Sequence, residues 1–111
     1  MPEAGPNFIA EGKKTAFIWY HADSRLANAL RAWVEQTGQS LGIPAKILVR
    51  RQVERTTFME IYEAAGNQNM EDMVEIIEAC AAAQSWFARL QSPRRAEIFS
   101  EFPAQAESPA S

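Results

Sequence analysis

Hydrophobic and polar positions alternate with a period of two in four stretches of the chain and recur with helical spacing in two others. Lys14 to His21 (KTAFIWYH) is rich in aromatic and β-branched residues and reads as a first strand. Leu26, Leu30, Trp33, Val34, Thr37 and Leu41 follow at helical spacing, with Asp23 or Ser24 placed to cap the helix and the Gly38 to Pro44 region placed to end it. Ala45 to Arg50 and Thr56 to Glu63 read as the two strands of a hairpin that turns at Gln52 to Arg55, with Gly66 and Asn67 ending the second strand. Asn69 can cap a second helix that carries Met70, Met73, Val74, Ile77, Cys80, Ala81 and Phe87 on one side and stops at Pro93. Arg95 to Phe99 (RAEIF) supplies the last strand.

The order β-α-β-β-α-β predicts an α+β, ferredoxin-like domain, with two helices on one face of a four-stranded antiparallel sheet. Residues 14–99 form this domain. Residues 1–13 and 100–111 are rich in Pro, Ala, Gly, Ser and Glu, lack periodicity, and read as flexible tails.

Alternation then divides each strand into two faces. Ala16, Ile18, Ile47, Val49, Met59, Ile61, Ala96 and Ile98 make a nearly aliphatic set, to which the helices are assigned. The other set mixes aromatic residues with charges: Phe17, Trp19, His21, Lys46, Leu48, Arg50, Phe58, Glu60, Tyr62, Arg95, Glu97 and Phe99. A monomer would show water more contiguous aromatic surface than soluble proteins usually tolerate, so this face is expected to be covered.

Composition narrows the chemistry. The chain has 111 residues, 47% hydrophobic and 23% charged, which suits one globular domain with a modest core. A formal charge of -3 gives no general attraction to phosphate backbones or anionic membranes. The single cysteine, Cys80, cannot form an internal disulfide, and the amino-terminal stretch lacks the basic and apolar regions of a signal peptide. A cytoplasmic location is the expectation. No apolar run is long enough to span a bilayer. One histidine and one cysteine cannot assemble a metal site, and no phosphate-cradling glycine loop occurs, so neither metal nor cofactor is expected. Cys80, on the inward helix face, reads as a packing group.

The runs KILVRRQVERTTFMEIYE and SPRRAEIF, preceded by AFIWYH, resemble an uncharacterised group of small bacterial proteins, chiefly proteobacterial, related to dimeric α/β barrels. The resemblance covers about residues 15–99. It matches at Trp19 and Tyr20, at the Arg50–Arg51 pair, at Thr57 to Glu63, and at Pro93 to Arg95, where Arg95 stands in place of the group's usual histidine. What the resemblance implies is the fold and homodimerisation, without a substrate. Related dimeric barrels include cofactor-independent monooxygenases and haem-degrading enzymes.

Three functions compete. In the first, two copies pair through Phe17, Trp19, Leu48, Phe58, Glu60 and Phe99, and the enclosed space takes a small acidic or aromatic molecule. Its lining would come from Trp19, Tyr62, Arg50, Arg51, Arg94 and Arg95, because strand ends gather His21, Arg50, Arg51, Arg55, Arg94 and Arg95 at one sheet edge. The plainer account is a solvated rim of arginines, with Lys46 and Arg50 bridged across strands to Glu60. In the second, an enzyme uses His21 or Glu60 as general base. Glu60 and Glu97, on the strands flanking the first, are too far apart for a carboxylate pair. In the third, the aromatic face stacks RNA bases as this fold does elsewhere. Missing strand motifs, negative charge on the face and the acidic total oppose it, so nucleic acid is not expected as a partner.

Overall fold

The computed structural model describes residues 12–64 and 68–102. Strand β1 (Lys14–His21) leads through a short turn into helix α1 (Ala27–Leu41), followed by β2 (Ala45–Arg51), β3 (Thr56–Glu63), helix α2 (Met70–Ala82) and β4 (Arg95–Ser100). The sheet is antiparallel in the order β2-β3-β1-β4. Backbone pairing runs slightly past the last strand, since Gly12 N donates to Glu101 O and Glu101 N to Lys13 O. The rest of the expected tails, and the Gly66–Asn67 strand ending, lie outside the described residues.

Local chemistry explains the helix limits. Asp23 accepts from the Arg25 amide at 2.8 Å and pairs with the Arg25 guanidinium, fixing the turn that feeds α1. Gly42 ends α1 in the left-handed conformation (φ 71°), which glycine adopts at little steric cost. Gly38 has another role: a Cβ there would stand 2.6 Å from that of Ala45, so its small size lets α1 lie close on β2. Asn69 caps α2 by accepting from the Asp72 amide at 2.9 Å, and Glu71 and Asp72 place negative charge in the first turn, where the helix dipole favours it.

The core lies between helices and sheet. From α1 come Leu30, Trp33, Val34 and Thr37, and from α2 come Met70, Met73, Ile77 and Ala81. Trp33 meets Trp86 edge to face at 5.2 Å. Cys80 is exposed, contrary to the expectation of an inward thiol. The buried stripe of α2 runs from Ile77 to Ala81, one turn apart, and Cys80 sits beside it. Helix α2 also ends at Ala82, so Phe87 belongs to a separate short turn and is 39% exposed.

The largest departure from the sequence reading is the phase of β3. Residues directly opposite one another in neighbouring strands share a face, and Ala16, Ile18 and Tyr20 stand opposite Tyr62, Glu60 and Phe58. The helix-covered face therefore takes Phe58, Glu60 and Tyr62. Met59 and Ile61 go with Phe17 and Trp19 to the open face. A slip of one position moves every side chain of a strand to the other side. Here β3 turns its aromatic and acidic residues inward because an arginine elsewhere in the chain neutralises the acid. The assignments of the other strands stand: Ala45, Ile47 and Val49 on β2, and Ala96 and Ile98 on β4, share the covered face.

Candidate functional site

Two groups of polar side chains result, one on each side of the sheet. The first is sealed. Glu60, with no exposed surface, points from β3 toward the helices and receives the guanidinium of Arg94, itself 2% exposed at the side chain. Nη1 donates to Oε2 at 2.8 Å and Nη2 to Oε1 at 2.9 Å, the two-pronged geometry that matches arginine to a carboxylate. Tyr62 donates its hydroxyl to Oε1 at 2.7 Å, and Tyr20 donates to Oε2. Glu78 of α2, a third exposed, takes the remaining side of the guanidinium through Nε and Nη2. Arg94 also lies over the ring of Tyr20 at 5.0 Å and that of Trp33 at 5.6 Å.

The electrostatics of this cluster are self-consistent. Burial and the negative charge of Glu60 push both phenols far above the usual tyrosine range, so they remain donors. Burial opposes the charge on Arg94, but hydrogen bonds to Glu60 and Glu78 outweigh it and hold the guanidinium protonated. Glu60 accepts four hydrogen bonds, its full lone-pair complement. No lone pair is left to take a proton from a substrate. The arrangement joins β1, β3, α2 and the segment before β4, and its chemistry is that of a strut.

A pH effect follows. Both tyrosines hold their protons more tightly folded than unfolded, so their contribution is complete below the unfolded value near 10 and is lost as pH rises above it. Urea unfolding between pH 9 and 11.5 should show stability falling by up to about 1.4 kcal/mol per pH unit for each tyrosine. Tyr62→Phe should remove one tyrosine's share of that slope. An identical slope in the variant would show that other groups cause the fall.

The second group occupies the open face, in rows set by the register. Arg50, Thr57 and His21 form one row, and Leu48, Met59, Trp19 and Arg95 the next. Lys46, Ile61, Phe17 and Glu97 follow. His21 Nδ1 lies 3.0 Å from Thr57 Oγ1, and Arg55 Nη1 lies 3.3 Å from His21 Nε2. Because arginine can only donate, Nε2 accepts and Nδ1 carries the proton toward Thr57. Arg95 lies 5.7 Å over the Trp19 ring. Phe17 and Phe99 meet edge to face at 5.5 Å. Leu48 is 51% and Phe99 57% exposed.

The expected edge cluster is therefore split. His21, Arg50, Arg55 and Arg95 do share the open face. Arg94 is withdrawn into the core by Glu60, and Arg51, opposite Thr56, belongs to the other side of β2. Phe58 and Glu60, expected at a dimer contact, and Tyr62, expected to line a ligand site, are on the covered face with less than 2% exposure each. The expected bridge from Lys46 or Arg50 to Glu60 would have to pass through the sheet, and so would a Glu60–Glu97 pair. Tyr20, Trp33, Thr57 and Glu78 belong to these two groups but were not foreseen as such. The signals for Tyr20 were its parity with Ala16 and Ile18 and its place in the AFIWYH run.

Among the described residues no set of three or more His, Cys, Asp and Glu is arranged to hold a metal ion, and no helix is long and apolar enough to cross a membrane. One cleft of about 280 Å³ runs between the helices past Trp33, Thr37, Ile76 and Cys80. Another of about 190 Å³ lies at Pro44, Lys46, Ile61 and Glu63.

Element order, sheet order and the one-sided helix layer define a ferredoxin-like α+β protein. No family model matches the chain, and no curated protein matches it. Among solved structures it is similar to a ferredoxin-like protein from the proteobacterium Nitrosomonas europaea, assigned as an antibiotic biosynthesis monooxygenase. The TM-score is 0.57 over 85% of this chain and 94% of that one, at 10% sequence identity. The likeness is one of fold.

Proposed function

We propose that the chain acts as a homodimer closed through the open face of its sheet, and that the space between the two sheets receives a small acidic or aromatic molecule. The observation that carries this reading is the open face itself, where Phe17, Trp19, Leu48, Met59 and Phe99 stand beside the cations Arg50 and Arg95 with no covering layer among the described residues. A four-stranded face measures about 19 Å across its strands. With side-chain relief it approaches the roughly 800 Å² per partner of a standard interface. Apolar burial at about 25 cal/mol per Å² supports association after its entropic costs are met.

Light scattering after size exclusion, over a dilution series, should give twice the 12.4 kDa chain mass down to low concentration. A monomer throughout would overturn the reading.

A monooxygenase is the second reading, supported by the name of the similar solved structure and by nothing in residue identity. In this chain His21 is the candidate base once the exposed Arg55 side chain swings off its Nε2 lone pair, since Glu60 is sealed in the core with its lone pairs engaged. Oxygen uptake with quinol substrates that His21→Gln abolishes would favour it. Absence of turnover with a quinol that binds would count against it.

A further inference from the structure

We propose that Arg50, Arg55, His21 and Thr57 form a carboxylate-binding site on the open face, with Trp19 and Met59 seating the flat apolar body of the same ligand. The proposal deepens the open-face reading above by fixing the place and the chemical class of the ligand. It is built from one chain, so its success does not require the dimer.

The register carries the argument. Arg50 and His21 stand either side of Thr57 in one row, and Arg55, in the turn just before β3, reaches the same row to touch His21. Among the described residues, neither Arg50 nor Arg55 has a carboxylate within salt-bridge distance, although five other cationic side chains do. The acids on this face, Glu97 and Glu63, lie two and three rows away, roughly 14 and 20 Å along the strands. Two guanidiniums thus stand together at one end of the face, away from its acids, in a chain whose formal charge is -3. Planar guanidiniums with unengaged donors match the two oxygens of a carboxylate. The Thr57 hydroxyl stands beside them, and the His21 ring contacts both it and Arg55.

The neighbouring row sets the class. Trp19 and Met59, both half-buried, stand about 7 Å along the strands from the cationic row, close to the length of one aromatic ring. An anion held at Arg50 and Arg55 therefore places its attached group beside the Met59 thioether and the Trp19 indole, whose ring also carries the Arg95 guanidinium at 5.7 Å. Inorganic phosphate would use the guanidiniums and leave this row unused.

The test is calorimetric titration of the full chain with benzoate, acetate, inorganic phosphate and benzyl alcohol. Benzoate should bind at least tenfold tighter than each of the others. Arg50→Gln combined with Arg55→Gln should weaken benzoate at least tenfold, with the circular dichroism spectrum unchanged, since both side chains are exposed. Trp19→Leu should remove the advantage of benzoate over acetate. Equal binding of benzoate and benzyl alcohol would overturn the site, as would an unaffected double arginine variant. Phosphate binding tighter than benzoate would overturn the ligand class. Light scattering on the same samples separates the two ideas: benzoate bound by a monomer sinks the dimer alone, and a dimer indifferent to benzoate sinks this site alone.

Discussion

Replacing Arg94 with methionine is expected to lower the unfolding free energy by about 3–5 kcal/mol, because it leaves the fully buried Glu60 without its cationic partner. Few single changes in a domain this small should cost more, since the whole stability is roughly 5–15 kcal/mol. The methionine fills much of the same space, so the loss reports charge rather than a cavity. Adding Glu60→Gln to Arg94→Met should recover part of it. The coupling between the two positions, read from urea unfolding of both single variants and the double, should exceed about 1 kcal/mol. A loss under 1 kcal/mol for Arg94→Met would mean that the pair is no strut.

The second large effect concerns association. Trp19→Glu puts a carboxylate among the apolar residues of the open face and removes the side-chain type most often dominant at interfaces. The dimer dissociation constant should rise at least about 100-fold, some 2.7 kcal/mol, with helical and strand content retained. Val53→Glu, at a fully exposed hairpin tip, should leave the constant unchanged. Equal effects from the two substitutions, or none from Trp19→Glu, would place any dimer contact elsewhere.

These two expectations rest on parts of the molecule that were unequally legible in the sequence. The strands and helices could be read because each follows a local rule: Lys14–His21 alternates, Leu30, Trp33, Val34 and Thr37 repeat at helical spacing, and Asn69 caps as its position suggests. The faces of β1, β2 and β4 were also legible. The face of β3 was not, since TTFMEIYE offers aliphatic Met59 and Ile61 on one side and Phe58, Glu60 and Tyr62 on the other. Putting the aliphatic pair inward is the sound local choice. It fails because Glu60 is neutralised by Arg94, 34 residues away, and no periodicity reports so distant an ion pair. The same error hid the strut and made the open face look more acidic than it is, since Glu60 had been counted there. The open-face site was legible in its cations and illegible in its geometry, which needs the pairing Arg50–Thr57–His21.

Strand β2 forms one border of the sheet, with backbone groups on its outward side that no neighbouring strand engages among the described residues. Such a border could recruit another chain and begin a filament. Lys46, Arg50 and Arg51 stud it with positive charge, and a second copy laid alongside would bring like charges together. Pairing of two β2 borders is thereby disfavoured from the first addition, and if copies meet broadside as proposed, an assembly built that way uses up its contact surface at two and stops.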